Sequence, residues 1–382
     1  MAFDIQKVTT KRHIRKFHKL PFRIYKDYPQ WAPPFRFEIE NIFDPEKNEF
    51  FKHGECERFL VMDGKSVVGR FAVMNNPEKD KNYDPRMGGI GFIEMENDPV
   101  VAHAIIDYAK NWHRKRGYKA MRGPINFGEN DNFWGLLVEN YEEPPVYGMF
   151  YHPPYYKELI KKTGAEKFDD HFSYKRSFSK PLPERLVKIT NRIENRPGVE
   201  IRQVDMNHID RDAEYIRDIY NKAWSDQDIQ EREEEFTELS QETVQSMVED
   251  LKPVLIKESV LLAFVNDDPA SFIVCVPDLN ELSRETKGRL HWWHYPKMYK
   301  FKNRAKHLRT IVFGTVPKYR KLGLEALTFV RGIQWVHEAN PNLDYLEGAW
   351  VSEKNWLMQR SLEALGCVHH KTHRTYRWVF DD

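Results

Sequence analysis

Apolar and polar positions follow one order of predicted elements that occurs twice, once in each half of the chain. In both halves two apolar runs flank a short polar turn, at Asp63-Gly64 and at Asn266–Asp268, which predicts a β-hairpin. A strand, a long helix with apolar residues at three- and four-residue spacing, another strand, a shorter helix and a last strand follow. The shorter helices end at Gly164 and Gly366, as helices often do at glycine.

The spacing of equivalent positions supports a duplication. The turn residues Gly64 and Asp267 are 203 residues apart, and the two helix-ending glycines are 202 residues apart. A polar, proline-bounded stretch at 181–198 has the composition of a connection and is predicted to contain a short helix. We therefore expect one domain at 1–180, a linker at 181–198 and a second domain at 199–382.

The composition is that of a globular protein whose charges nearly cancel, with 58 acidic and 59 basic residues among 382. This balance gives no reason to expect a nucleic-acid partner. No apolar run reaches the length of a membrane-spanning helix, and the N-terminal residues lack the apolar core of a signal peptide. Three cysteines without a CxxC pair are typical of a reducing compartment, so we expect a cytoplasmic location.

The histidines whose spacing is most similar to that of metal ligands are His369, His370 and His373. On a strand, neighbouring side chains point to opposite faces, so these three side chains should diverge. We therefore expect no metal site in the chain.

A strand-to-helix turn after Val316 carries the most specific motif. An apolar strand ends there, and Tyr319 leads into the seven residues Arg320–Ala326, RKLGLEA. This stretch resembles the pyrophosphate loop of the GNAT acyl-CoA N-acyltransferase family, (Gln/Arg)-x-x-Gly-x-(Gly/Ala). Asn355 and the helix after it, which ends in Leu-Gly, resemble a second segment of that family. The C-terminal half carries these motifs, and the N-terminal half matches the family in element order alone.

The resemblance implies an α/β (α+β) fold of two GNAT-like domains in tandem, each a central mixed, mostly antiparallel sheet flanked by helices. It also implies an N-acyltransferase that moves an acyl group from acetyl-CoA or another acyl-CoA to a lipid-like or amino-acid-like amine. Two alternatives stay open: a FemABX-like aminoacyltransferase with an aminoacyl-tRNA donor, and an inactive small-molecule-binding protein of this fold. The near-neutral charge argues against the tRNA donor.

The physical chemistry of the loop agrees with a bound pyrophosphate. The first N–H groups of a helix and the positive end of its dipole favour an anion, and Gly323 lets the anion approach the backbone. Glu325 would repel a phosphate unless its side chain points away, and Leu362 stands where the family often has a general-acid tyrosine. In the N-terminal half, Asp98 and Pro99 start the equivalent helix without a glycine or a basic residue, so acyl-CoA is not expected there.

For catalysis we predict Glu347 as the general base and Asn355 as a residue that orients the acceptor or the cofactor. A salt-bridged carboxylate at the rim and a helix N-cap are the respective structural alternatives. Backbone N–H groups near Phe313 and Thr315 are expected to polarise the thioester carbonyl. The residues expected to bind acyl-CoA are Phe313, Thr315, Val316, Tyr319, Arg320, Lys321, Leu322, Gly323, Leu324, Glu325 and Ala326.

An irregular, proline- and glycine-punctuated insertion in the first half concentrates amides and aromatic rings, which suits recognition of a polar head with an apolar body. An aromatic-rich domain interface is the alternative. The residues predicted to bind the acceptor are Asn126, Asn130, Trp134, Tyr151 and Tyr155.

Two further features have competing interpretations. Glu94 and Glu96 share one strand face and could bind an amine, but surface ion pairs are the favoured interpretation. The basic and aromatic stretch at 291–307 could contact a membrane surface, although a packed helical insertion is favoured.

Overall fold

The computed structural model describes residues 3–128, 132–225 and 238–380. The chain forms two compact units. The first contains residues 1–171, 283–290 and 371–382, and the second contains residues 172–282 and 291–370. Each unit therefore holds the end of a strand that begins in the other unit. These strands are β7 (Glu166–Ser177) and β13 (Val368–Val379).

The first unit is built on a sheet in the order β1-β2-β3-β4-β5-β13. The first four strands pair antiparallel, β4 and β5 pair parallel, and the end of β13 pairs antiparallel with β5. The strands introduced here are β1 (Asp4–Lys7), β2 (Glu55–Asp63), β3 (Ser66–Asn75), β4 (Met87–Met95), β5 (Ala120–Gly123) and the short β6 (Leu136–Leu137).

Helices cover both faces of this sheet. One face packs Phe59, Phe71 and Ile90 against the long helix that follows β4, and the other packs Leu60 and Phe92 against the first helix. The helices of this unit are α1 (Lys11–Ile24), α2 (Arg36–Ile42), α3 (Pro77–Asp80), α4 (Pro99–Arg114) and α5 (Tyr155–Lys162).

The second unit repeats this arrangement with the sheet order β8-β9-β10-β11-β12-β7. Its first four strands pair antiparallel, and β11 and β12 pair parallel. The strands are β8 (Val199–Gln203), β9 (Val260–Val265), β10 (Asp268–Pro277), β11 (His307–Thr315) and β12 (Tyr345–Ser352). The shared order of antiparallel hairpin, parallel pair and sixth strand is the predicted duplication.

The helices of the second unit include one in the predicted linker and one, Tyr295–Phe301, in the predicted helical insertion at 291–307. They are α6 (Glu184–Glu194), α7 (Ile209–Trp224), α8 (Gln241–Leu251), α9 (Leu279–Thr286), α10 (Tyr295–Phe301), α11 (Leu324–Ala339) and α12 (Trp356–Ala364). Helix α9 extends into the segment 283–290 of the first unit. Short 3-10 helices occupy Glu49–Lys52, Lys257–Ser259, Trp292–His294 and Pro317–Leu322. Across the described residues, no helix is both long enough and apolar enough to cross a bilayer.

The predicted turns and helix ends have the expected geometry. In the hairpins Asp63 pairs with Ser66 and Val265 pairs with Asp268, so two residues form each turn. The helix-ending glycines Gly164 and Gly366 adopt φ values of 79° and 82°, a left-handed conformation that favours glycine.

Candidate active site

A cleft opens where two parallel strands of the second unit diverge. Strands β11 and β12 pair from His307–Tyr345 to Thr310–Gly348. Beyond this point β11 stays paired with β10 as far as Thr315–Ser271, whereas its pairing with β12 ends at Thr310–Gly348. Backbone groups on the β12 side of this part of β11 therefore face a gap between the strands.

The cleft in this gap has a volume of about 70 Å³ and a largely apolar lining. Val312 and Phe313 line it from β11, Trp350 lines it from β12, and Met358 and Leu362 line it from α12. Its lining residues with a polar side-chain atom are Tyr174, Trp224, Thr310, Trp350, Asn355 and Cys367. The arrangement suits a ligand that is mainly hydrocarbon with one reactive polar group.

The predicted pyrophosphate loop lies beside this cleft in the chain. The Val316 N–H donates to the Ala270 carbonyl at 2.9 Å, and the 3-10 helix Pro317–Leu322 follows directly. Gly323, with φ of 78°, joins this turn to α11, and a Cβ there would lie 2.9 Å from Ile193 Cδ1. The first N–H groups of α11 lack carbonyl partners within the helix, so this turn has the donors that an anionic group requires.

Basic side chains around the loop are held in different ways. The Lys318 ammonium donates to Asp268 Oδ2 at 2.6 Å, and the Arg320 guanidinium donates to the Ala223 carbonyl at 2.9 Å. Lys321 is exposed to solvent. The charge of Lys318 is partly neutralised by Asp268. Binding of an anion at this turn would therefore depend on backbone N–H donors more than the basic sequence indicates.

Glu325 occupies the start of α11 with its own carboxylate. The carboxylate accepts hydrogen bonds from its own backbone N–H and from the Thr315 hydroxyl at the end of β11. Burial raises the pKa of Glu325, while these hydrogen bonds and the charge of Arg320 oppose that shift. The side chain is thus directed at the strand end, and a ligand phosphate at this helix start would compete with it.

Glu347 lies within a buried polar cluster. Its side chain is 1% exposed, its Oε1 accepts a hydrogen bond from Ser173 Oγ at 2.6 Å, and His370 Nδ1 lies 3.0 Å from the same oxygen. Leu346 and Gly348, its neighbours on β12, line the cleft. The cluster joins a carboxylate, an imidazole and a hydroxyl, which can pass a proton among them. The role of Glu347 as a general base stays a prediction.

Asn355 combines two of the expected features. It is buried at the cleft wall, and its Oδ1 accepts the Met358 N–H at 3.2 Å, so it caps α12. Leu362 also lines the cleft, so the position at which the resemblance leads one to expect a tyrosine has an aliphatic side chain here.

Tyr174 brings a phenol to the cleft that the sequence analysis missed. It lies on the part of β7 that belongs to the second unit, it is buried, and burial raises the pKa of its hydroxyl. The predicted boundaries assigned this residue to the first domain, and it is not among the predicted site residues. The sequence feature that could have drawn attention to Tyr174 is the similar apolar pattern of the last strand in each half.

In the first unit the predicted acceptor residues are packed inside the fold. Asn126, Trp134 and Tyr151 are buried, and the half-buried Tyr155 donates its hydroxyl to the Met95 carbonyl at 2.9 Å. Asn130 lies outside the described residues. Their binding of an acceptor stays a prediction.

Glu94 belongs to a buried network, so a surface ion pair was the wrong interpretation for it. The side chain is 5% exposed and accepts hydrogen bonds from Tyr25 at 2.7 Å, Tyr156 at 2.9 Å and Arg70 at 3.4 Å. Every residue of β4 is buried because helices cover both faces of its sheet. Glu96, just past the strand, forms the expected exposed pair with Arg23 at 2.5 Å.

One group of side chains among the described residues has the spacing of metal ligands: Asp278, Glu281 and His307. The Glu281 carboxylate already accepts the backbone N–H groups of Lys306 and His307, at 3.1 and 2.9 Å. Through these hydrogen bonds Glu281 joins α9 to the start of β11.

Comparison with known proteins shows two relatives that match almost the whole chain. No family model matches. The chain is 29% identical over 382 residues to the bacterial ceramide synthase of Caulobacter vibrioides, covering 97% of this chain and 95% of that protein. It is 24% identical over 371 residues to protein YghO of Escherichia coli, covering 96% and 93%.

Solved structures share the fold at low identity. A tandem GNAT protein from the clavulanic acid biosynthesis pathway matches with a TM-score of 0.58 and 11% identity, covering 99% of this chain and 98% of that one. A GCN5-related N-acetyltransferase from Sphaerobacter thermophilus matches with a TM-score of 0.51 and 11% identity, covering 98% and 95%. The predicted fold class is thereby confirmed.

Proposed function

Because this chain has the fold of a tandem GNAT protein, we propose that it is an N-acyltransferase that joins an acyl group from acyl-CoA to a long-chain amine. The apolar cleft between β11 and β12, directly before the Gly323 turn, carries this proposal. A lipid-like acceptor is favoured over an amino acid because the lining is mostly aliphatic and aromatic. The relative from Caulobacter, a ceramide synthase by name, is consistent with that choice.

The donor would be held at two places. Backbone N–H groups of the turn at Gly323 and the start of α11 would bind the pyrophosphate, with Lys321 close by in sequence. The thioester would then lie between the diverging strands, where backbone donors of β11 near Phe313 can polarise its carbonyl oxygen. Acyl-CoA supplies an activated carbonyl carbon, and the chain's residues orient it and move the protons.

The proposed reaction forms one bond and breaks another. The amine nitrogen attacks the thioester carbon, the C–S bond breaks, and the thiolate leaves with the electron pair. Tyr174 is the proposed proton donor to that thiolate, since its phenol lines the cleft and a tyrosine is protonated at neutral pH. The Ser173–Glu347–His370 cluster is the proposed acceptor of the ammonium proton.

Donor binding is tested by calorimetric titration with CoA and with a long-chain acyl-CoA. Gly323→Trp is expected to abolish binding because it fills the turn. Gly164→Trp is the matched control, because that glycine also has a positive φ, of 79°, and a Cβ there meets no atom within 4 Å. Loss of binding in both variants, or in neither, would contradict the proposed pyrophosphate site.

Turnover is tested by release of the CoA thiol with a long-chain amino alcohol, a short amine and an amino acid. The long-chain amine should react fastest. Tyr174→Phe should lower kcat by about 100-fold with little change in KM, as expected for loss of a proton donor. Glu347→Gln should also lower kcat. Binding of acyl-CoA without thiol release with any amine would support the binding-protein alternative instead.

A further inference from the structure

The segment His291–Lys306, called here the aromatic–basic segment, presents large aromatic side chains to solvent. Trp292 is 76% exposed, Trp293 54%, Tyr295 64% and Tyr299 68%. These four rings lie within a stretch of eight residues, on a 3-10 helix and the helix α10 that continues it. A cluster of this kind on a soluble fold marks a surface that contacts something apolar.

The segment is fixed to the second unit and is not a frayed loop. Phe301 and Ala305 are almost fully buried, and the Lys306 N–H donates to the Glu281 carboxylate at 3.1 Å. At the other end His291 and His294 cap the 3-10 helix reciprocally. A packed helical insertion was predicted, and Phe301 and Ala305 are indeed buried, but the four large aromatic rings of the segment are exposed.

The charged side chains within the segment are all basic. No acidic residue occurs in the sequence between Glu285 and Glu325. The basic residues of the segment are Lys297, Lys300, Lys302, Arg304 and Lys306. Lys302 Nζ lies 4.9 Å from the centroid of the Tyr299 ring, so a cation and an amphipathic ring occupy the same spot.

We propose that the aromatic–basic segment docks the protein on the surface of a bilayer that contains anionic lipid. Tryptophan and tyrosine prefer the interface between headgroups and acyl chains, because their rings are apolar and carry one polar atom. Lysines at the same level pair with anionic headgroups while their methylene stems stay in the apolar zone. Tyr295 and Tyr299 are four residues apart on α10, hence on one helix face, as in a helix that lies in the interfacial plane.

A bilayer fits these observations better than a nucleic acid. The five basic residues of the segment lie within a stretch of ten residues, in a chain whose net charge is +1. Nucleic-acid binding requires an extended track of phosphate contacts. A bilayer needs a local patch with rings that insert, and this segment has both features. The inference does not depend on the proposed reaction, since docking requires neither donor nor acceptor.

Vesicle flotation with the full chain tests the proposal, with vesicles of phosphatidylcholine alone and of an equal mixture with phosphatidylglycerol. Binding is expected to the mixed vesicles and to weaken as salt is raised. Lys297→Glu together with Lys300→Glu should weaken the partition coefficient by about 25-fold or more, since each basic residue near an anionic surface contributes about fivefold. Lys161→Glu with Lys188→Glu changes the net charge equally at exposed helix positions and should leave binding unchanged.

The aromatic contribution is tested separately. Trp292→Ser together with Trp293→Ser should reduce binding by about tenfold or more, and Phe37→Ser, at an exposed ring of the first unit, should not. The proposal is overturned by a wild-type chain that does not float. It is also overturned if both lysine pairs have equal effects, or if the tryptophans instead hold a dimer that the double substitution dissociates.

Discussion

Glu325→Gln should strengthen donor binding, although it removes a residue from the proposed pyrophosphate loop. The carboxylate of Glu325 lies at the start of α11, where the pyrophosphate is proposed to bind. Glutamine keeps an oxygen that can accept the Thr315 hydroxyl and the backbone N–H, and it removes the negative charge. The substitution therefore isolates the electrostatic effect from the local hydrogen bonds.

The size of the effect follows from Coulomb's law. Two unit charges about 5 Å apart repel by about 3 kcal/mol at an effective dielectric constant of about 20. Salt and water around a half-buried carboxylate reduce this to about 1–2 kcal/mol, or about 10-fold in Kd. We thus expect Glu325→Gln to bind CoA about 10-fold more tightly than the wild type at pH 8.

The pH dependence has a defined sign. Burial already raises the pKa of Glu325, and a bound phosphate would raise it further. Binding therefore takes up a proton when the pH lies between the pKa values of the free and the bound protein. Wild-type affinity should be highest below the pKa of the free protein and fall as the pH rises through this interval.

Calorimetric Kd values between pH 5 and 8 test this reasoning in the wild type, Glu325→Gln and the control Glu338→Gln. Glu338 is exposed near the far end of the same helix. Phosphate groups of CoA titrate in the same range, and comparison of the three proteins removes their contribution. Parallel pH profiles in the wild type and Glu325→Gln, or weaker binding by Glu325→Gln, would refute the placement of the carboxylate beside the pyrophosphate.

Two other predictions concern packing. Gly332 lines a second, smaller cavity that shares Phe329 and Leu346 with the cleft, and a Cβ there would lie 3.7 Å from the nearest side chain. Gly332→Ala should leave the thermal midpoint unchanged or raise it, whereas Gly332→Leu should lower kcat/KM for long acyl chains relative to acetyl-CoA. An unaltered chain-length preference would show that the acyl chain does not enter there. In the first unit, Arg70→Met should cost about 3–5 kcal/mol in urea unfolding at pH 7 because the Glu94 carboxylate loses its buried partner. Removal of an exposed partner, in Arg377→Met, should cost less than about 1 kcal/mol, and equal costs would contradict the buried network.

Local features of the fold could be predicted because short segments determine them. The hairpin turns at Gly64 and Asp267 have two-residue geometry, which depends on residues that tolerate a positive φ. Gly164 and Gly366 end their helices for the same reason. The turn at Gly323 likewise follows from a strand end, a proline and a glycine in immediate succession. Each of these features depends on backbone sterics within a few residues.

Buried polar groups were less predictable, since burial depends on what covers a strand. The sequence near Glu96 led us to expect Glu94 at the surface. Both faces of its sheet are covered, however, and its carboxylate accepts hydrogen bonds from Tyr25, Tyr156 and Arg70. Glu347 was expected at the cleft, and its surroundings of Ser173 and His370 come from strands distant in sequence. The sequence pattern shows which side chains of a strand share a face of the sheet. The hydrogen-bond partners of those side chains come from neighbouring strands and helices, which the pattern does not identify.

The sequence by itself determined that the same order of helices and strands occurs twice. It also determined the glycine turn at Gly323, whose backbone can bind an anion. Only the tertiary structure decided which sheet each terminal strand joins. The last strand of each half has a similar apolar pattern, and pairing between distant segments is chosen by the packing of the whole sheet. Residues 172–177 consequently lie in the second unit, with Tyr174 at its cleft, and residues 371–382 lie in the first.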